Sequence, residues 1–299
     1  MQIGLGLSIT SQLRFGTALY AVNSFDPDFV LDFKNSYYRK GGSNSTLSGS
    51  VTHARASSAT MTNSSGTLVT VGNNVARVGH HVYNGSAWVN EGVLHESEAR
   101  TNLVTYSSNF NHSSWTKYRV GITENVSGVT GPDGTQTVDK ITPIATNEQH
   151  RVWNGVSSTA VGETYSVYAK SAGYDYVWLG YYEGSAYGYA VVNLTNGVVT
   201  ASNAANYSVE ASTNGFYRIS VTKTASGTNP RYISISPSPT ASPNLGSNGA
   251  PVYVGDGTSG VYVYGAQIEA GSTPSSYIPT SGSAVTRAAE TLTVPAANL

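Results

Sequence analysis

The residues most open to a chemical reading are a histidine–glutamate step and a dense run of tyrosines. His95-Glu96 begins the pattern H-E-x-x-H, whose two histidines hold zinc while the glutamate acts as base, but Ala99 stands where the second histidine belongs. His80 and His81 are adjacent, and successive side chains on a strand point to opposite faces, which disfavours chelation by both. Asp26, Asp28 and Asp32 recur in "FDPDFVLDF", yet Pro27 and the lack of a glycine turn and closing glutamate argue against an EF-hand loop. No G-x-S-x-G elbow occurs, and with 0 cysteines there is no thiol nucleophile, thiolate metal site or disulfide framework. Two acids from distant strands can form a glycosidase pair, but 17 Asp and Glu without a pattern give that reading no positive support. A non-enzymatic protein is expected.

The tyrosines are the stronger lead. There are 21 of them, each with an apolar ring face and a polar tip, which suits recognition surfaces where a sugar C–H face packs on the ring. In "YDYVWLGYYEGSAYGYAVVNL" a continuous strand would place Tyr174, Tyr176, Trp178 and Tyr182 on one face, and Val177, Leu179 and Tyr181 on the other. The aliphatic face is the expected core side, leaving an aromatic row outside. Such a row serves sugar contact, an interface with another subunit, or plain cross-strand packing, and the sequence leaves all three open. Trp153 and Trp115 fall in turn-like contexts and are weaker candidates for the same contact.

The elements that must carry these residues read as β throughout. Asn-Gly recurs at residues 84, 154, 196, 214 and 248 and Asp-Gly at 133 and 256, pairs that tolerate the positive φ of tight hairpin turns. "HVY-NG-SAWV" and "AVVNLT-NG-VVTAS" read as two-residue hairpins, and "TYSVYAK", "FYRISVTK", "RYISIS" and "VYVYGAQIE" as further strands at sandwich spacing. No convincing 3.6-residue periodicity exceeds a turn or two. Charged residues are 11% of the chain and the net charge is −1, so no basic field for nucleic acid is present. A hydroxyl-rich, near-neutral surface suits neutral glycans or another protein.

Three segments follow. Residues 1–25 form an extended stretch in which Ile3, Leu5, Leu7 and Ile9 alternate with small or polar residues, fitting either a strand added to another subunit's sheet edge or a free terminus. The stretch lacks a basic n-region and is too short to cross a bilayer, so no signal peptide or membrane insertion is expected. Residues 26–100 are short Gly/Ser/Asn-rich hairpins that must lean on a neighbour for burial. Residues 101–299 form the main sandwich, ending in the Pro-punctuated strap "GSTPSSYIPTSG", which Pro274 and Pro279 keep out of a ladder. The strap closes over its own subunit or reaches across to another. "VTHARAS" (51–57) echoes "AVTRAAE" (284–290); either the two pair and bring the tail back onto the N-terminal region, or the echo is a coincidence of an Ala/Thr/Ser-rich sequence.

The ordered series "EGVLHESEARTNLVTYSSNFNHSSWTK", "GPDGTQTVDKI", "TYSVYAK", "VVNLTNGVV", "GFYRISVT" and "VYVYGAQIEAGSTPSSYIPTSG" resembles a module of bacteriophage virion proteins. That module is similar to a carbohydrate-binding-module type of jelly-roll β-sandwich. The resemblance covers about residues 91–290, and the ordered set is more specific than any one piece. It implies an antiparallel jelly roll on a phage particle surface, at a tail or fibre. It further implies virion partners through the N-terminal segment, a homo-oligomer (a trimer), and a host-surface glycan as ligand or else a purely structural decoration role. In this sandwich class a structural calcium can occur, with Asp139 and Glu269 the first carboxylates to consider; no other cofactor is implied.

Overall fold

The computed structural model describes residues 27–298 apart from 159, 161, 184, 185 and 225–230. Ile3, Leu5, Leu7 and Ile9 lie outside the described residues.

Chain entry is a run of small antiparallel ribbons. β1 (Val30–Asp32), β2 (Tyr37–Lys40) and β3 (Ser43–Ser45) form a three-stranded meander, followed by the single-turn helix α1 (Leu47–Ser50) and β4 (Thr52–Ala54). Two hairpins follow: β5 (Ala59–Thr62) with β6 (Leu68–Val71), and β7 (Arg77–Tyr83) with β8 (Trp88–Leu94); then β9 (Arg100–Asn102).

The sandwich is built from β10 (Trp115–Tyr118), β11 (Val120–Thr123), β12 (Asp139–Pro143), β13 (Asn147–Gln149), β14 (Arg151–Val156), β15 (Glu163–Ala172) and β16 (Tyr176–Glu183). It continues through β17 (Ala186–Asn193), β18 (Val199–Ser202), β19 (Asn206–Ala211), β20 (Tyr217–Lys223), β21 (Arg231–Ser238), β22 (Val252–Val254) and β23 (Gly260–Ala270). One six-stranded sheet runs β10-β14-β21-β16-β17-β18 and the other β11-β12-β23-β15-β20-β19, every ladder antiparallel, with β13 and β22 a separate ribbon. The protein is a two-layer antiparallel β-sandwich.

Period-two alternation produces the core. Val177 and Leu179 of β16, Ile233 and Ile235 of β21, and Tyr165 and Val167 of β15 all point between the sheets and are fully buried. β23 keeps that pattern only by breaking it once. Val261 and Val263 face the core, Gly265 takes φ +62° at an irregularity opposite β15, and the inward set shifts to Ala266 and Ile268.

The tail closes the molecule on itself. β24 (Val285–Arg287) pairs with β9, and β25 (Thr291–Thr293) pairs with β4. The two echoing segments therefore do not pair with each other. Their arginines instead enter one ion network, because Glu290 accepts from Arg55 and Arg77 while Glu96 lies 3.2 Å from Arg287 Nε.

The strap is a clamp within one chain. Tyr277 and Ile278 are buried; the Tyr277 carbonyl accepts from Thr60 Oγ1 (2.6 Å) and the Ile278 amide donates to Gln267 (2.7 Å). Ser276 donates through its amide (2.8 Å) and its hydroxyl (2.6 Å) to Glu96. With β5–β8 it covers the outward side of the β15/β20/β23 sheet, over Tyr168, Tyr264 and Phe216.

Three turn readings need correction. Tyr83 pairs with Trp88, so residues 84–87 form a four-residue loop, closed by the Asn84 side chain accepting from the Ser86 and Ala87 amides. The β17–β18 loop is likewise longer than two residues, with Gly197 at φ +73° donating to the Asn193 carbonyl. Asn154-Gly155 is not a turn at all but lies inside β14, where the missing Cβ admits the Tyr232 ring: a Cβ there would sit 2.7 Å from it.

Candidate functional site

With one outward sheet face covered by the chain's own hairpins and strap, the outward face of the β14/β21/β16/β17 sheet is the place to look for contact residues. The register defines its rows. Tyr182 of β16 is opposite Tyr232 of β21 and Tyr187 of β17; one step along, Gly180 is opposite Ser234 and Tyr189; one further, Trp178 is opposite Ser236 and Val191. On the far side of β21, Trp153 is opposite Ser234 and Gly155 opposite Tyr232. Small residues thus form the middle of the face and rings its borders.

Tyr176, Trp178 and Tyr182 share the outward face and Val177 and Leu179 the core, as expected from the alternation. Trp178, however, is fully buried, so it is not a contact residue. Its indole lies over Gly180, where a Cβ would come within 2.3 Å, and stacks on Tyr189 at 5.8 Å and 22°. Tyr189 stacks in turn on Tyr187 (6.3 Å), whose ring is met by Gly249 of the long β21–β22 connection. A glycine two residues on, not polarity, lets the largest side chain lie flat and be covered. Trp178 Nε1 and Ser234 Oγ are buried beneath this face without a hydrogen-bond partner.

Tyr174 also leaves the row. It precedes β16, packs against the core edge and meets Tyr253 edge-on at 5.8 Å. Trp153, read as turn-like, is the opposite correction. It sits in β14, partly exposed, with the Arg151 guanidinium 4.5 Å above its ring. Trp115 is buried, its Nε1 donating to the Tyr106 carbonyl (2.9 Å). The accessible platform is therefore Trp153, Tyr182, Tyr232, Tyr187 and Tyr189, all partly exposed, with Tyr118 exposed at its edge. Tyr182 and Tyr232 pack at 6.2 Å. Tyr232 and Arg151 were missed by the sequence reading; Tyr232 is placed by β21 pairing with β14 and β16, and Arg151 by its position two residues before Trp153 on β14.

Arg151 and Arg218 are the two partly buried arginines whose Nε is unpartnered and that make no ion pair among the described residues. Burial lowers the Arg151 pKa, opposed by the Tyr182 and Tyr118 hydroxyls. Arg55, Arg77, Arg231 and Arg287 each meet a carboxylate instead.

The two carboxylates considered for calcium are engaged in the fold. Asp139 accepts from the Phe110 and Asn125 amides at 2.8 and 3.0 Å; burial outweighs these bonds and pushes its pKa up to about 6. Glu269 accepts from the Ser275 amide, the Ser275 hydroxyl and Gln267, all within the strap junction. Among the described residues no group of three or more His, Asp and Glu is placed to hold a metal ion.

Among the described residues, two clusters bring acids together. Glu163, Glu183, Lys223 and Arg231 converge at one end of the core, sealed from solvent, as two carboxylates and two cations. A second cluster lines a cavity of about 200 Å³ between hairpins, strap and sheet, with His80, Glu96, Glu210 and Arg218 on its walls. There Glu96 is taken by Ser276, Arg77 and Arg287, and burial, ahead of the nearby Arg77, lowers the His80 pKa. The two adjacent histidines each bond within the fold: the His80 Nδ1 accepts from the Thr62 amide and the His81 ring bonds the Gly79 carbonyl.

The fold and this face define a β-sandwich with an aromatic outer sheet. No protein-family model matches the chain, and no curated protein matches it. Among solved structures it is similar to the enzymatically active domain of tailspike protein 4 of bacteriophage CBA120, at 12% identity and a TM-score of 0.33, covering 56% of this chain and 21% of that one. It is also similar to the CBM22-1 xylan-binding domain of Paenibacillus barcinonensis Xyn10C (10% identity, TM-score 0.32, covering 58% of this chain and 94% of that one). A third is the CBM22-1–GH10 portion of Clostridium thermocellum endo-1,4-beta-D-xylanase 10B, complexed with xylohexaose (14% identity, TM-score 0.31, covering 62% of this chain and 30% of that one).

Proposed function

We propose that this chain is a non-enzymatic protein of a phage particle, whose jelly-roll-type sandwich displays a glycan-binding face at the tail or fibre. The observation that carries the binding part is the outward β14/β21/β16/β17 face, where partly exposed Trp153, Tyr182 and Tyr232 flank a small-residue strip. Rings held rigidly on strands offer flat apolar faces to pyranose rings at little entropic cost. The setting rests on the ordered resemblance of residues 91–290 to phage surface modules. In this reading Ile3, Leu5, Leu7 and Ile9 join other virion subunits, and the assembly is a homo-oligomer, with a trimer favoured.

The test is a glycan array followed by affinity electrophoresis on host-surface polysaccharides, using the whole chain. Trp153→Ala and Tyr182→Ala are each expected to weaken binding about tenfold, the scale of one lost stacking contact. Retention of full affinity by both variants, or no retardation by any polysaccharide, overturns the proposal. A structural decoration role is the second reading. The burial of Trp178 and Val191 favours it, since part of the ring-bearing face already serves the chain's own packing. It predicts that the remaining rings become protected in the assembled particle and bind no sugar.

A further inference from the structure

Resting on the glycan reading, the class of glycan follows from Arg151. Its guanidinium stacks on Trp153, the most accessible tryptophan of the face, and makes no ion pair among the described residues. No outward position of β14, β21, β16 or β17 is an Asp or Glu; the register places only rings, glycines, hydroxyl residues, Val191 and Asn193 beside it. Withdrawing a cation partly from water without a counter-charge is unfavourable; the fully buried Arg55, Arg77, Arg231 and Arg287 are neutralised by glutamates, and Arg218, which also lacks an ion pair among the described residues, at least donates to Ser166 Oγ at 3.3 Å. With Nε buried and the residue only partly so, the terminal nitrogens are the open side of the fork. A planar guanidinium lying 4.5 Å over an indole presents a fork that can make two parallel bonds to a carboxylate.

We propose that this face takes an acidic saccharide: a uronate-bearing polymer whose pyranose ring packs beside Trp153 and whose carboxylate is bound by Arg151. The unpaired cation and the ring then recognise the two halves of one sugar unit, its charge and its apolar face.

The experiment measures binding of the whole chain to polygalacturonate, hyaluronate and alginate, each beside its carboxyl-reduced counterpart, at low and high salt. The expected result is binding to at least one uronan, about 10- to 100-fold weaker after carboxyl reduction, as for loss of one charge-assisted hydrogen-bond pair. Arg151→Gln should lower affinity for the acidic polymer about 10- to 100-fold, and affinity for the reduced one by a much smaller factor. Arg151→Lys should recover only part of the difference, and added salt should weaken the acidic polymer alone. Equal affinity for acidic and reduced polymers, or preference for neutral ones, overturns the uronate assignment while glycan binding stands. Failure to bind any polymer, acidic or neutral, here and on the array, overturns both. Circular dichroism of Arg151→Gln separates misfolding from lost contact, and Gln at a half-exposed strand position should fold.

Discussion

Trp178 and Trp153 are both outward residues of one sheet, yet their surroundings give them opposite roles. Trp178 is sealed by Gly180, Tyr189 and the ring stack, so Trp178→Ala should leave a large cavity and cost about 3–5 kcal/mol, read by chemical denaturation. A loss below about 1 kcal/mol would show that the indole is not packed as described. Asp139 sets a pH dependence of its own. Its folded pKa of about 6 lies above the ordinary 3.8, so its contribution is complete below about pH 4 and is lost as pH rises through 6. The expected fall is about 3 kcal/mol across that window. Asp139→Asn should flatten this part of the profile, although it gives up one amide acceptor; an unchanged slope would contradict the assignment.

On the scale of elements, the strap and tail hold the hairpins to the sandwich through one buried carboxylate. Glu290 accepts from Arg77 at 3.0 and 2.9 Å, from the Glu96 amide at 2.8 Å and from Arg55, with its side chain wholly buried. Burial would raise its pKa, but these donors outweigh it and bring the value down to about 2. Its stabilisation is therefore present above the ordinary 4.5 and lost as pH falls through about 2. Glu290→Gln leaves two buried guanidinium groups undercompensated and should cost about 3–5 kcal/mol near neutrality, measured by thermal or denaturant unfolding. The mutant's deficit should shrink in acid, where the wild-type carboxylate is itself protonated; a deficit constant down to pH 2 would rule out the charge explanation.

For the whole molecule, the hairpin region and sandwich form a mutually dependent pair. β4 and β9 find their partners in β25 and β24, at the other end of the sequence, and Arg55 and Arg77 find their counter-charge there too. Residues 27–100 expressed alone should therefore show amide exchange close to that of an unfolded chain, because short ribbons without a packing partner are marginal in water. Slow exchange in the isolated β5–β8 hairpins would show that they fold without the tail. The same closure separates the two sides of the sandwich: one outward face is covered by the chain's own hairpins and strap, while the other keeps Trp153, Tyr182 and Tyr232 partly exposed among the described residues.

What the sequence determined by itself was whatever alternation and turn chemistry encode. The all-β class, the aliphatic face of β16 and the strap outside any ladder were legible because side-chain direction on a strand has period two and proline cannot donate. The return of the tail was legible too, though not its register: the echoing segments suggested pairing, while the ladders joined β24 to β9 and β25 to β4. Depth of burial was not legible. Facing outward and being exposed are the same only if nothing lies above, and a glycine two positions away with a loop from a distant strand decided otherwise for Trp178. Arg151 and Trp153 are neighbours on one face of β14, but Tyr232 joined them only through the β14–β21 ladder, from some eighty residues along the chain. Local pattern sets which way a side chain points; only the completed sheet decides what stands beside and above it.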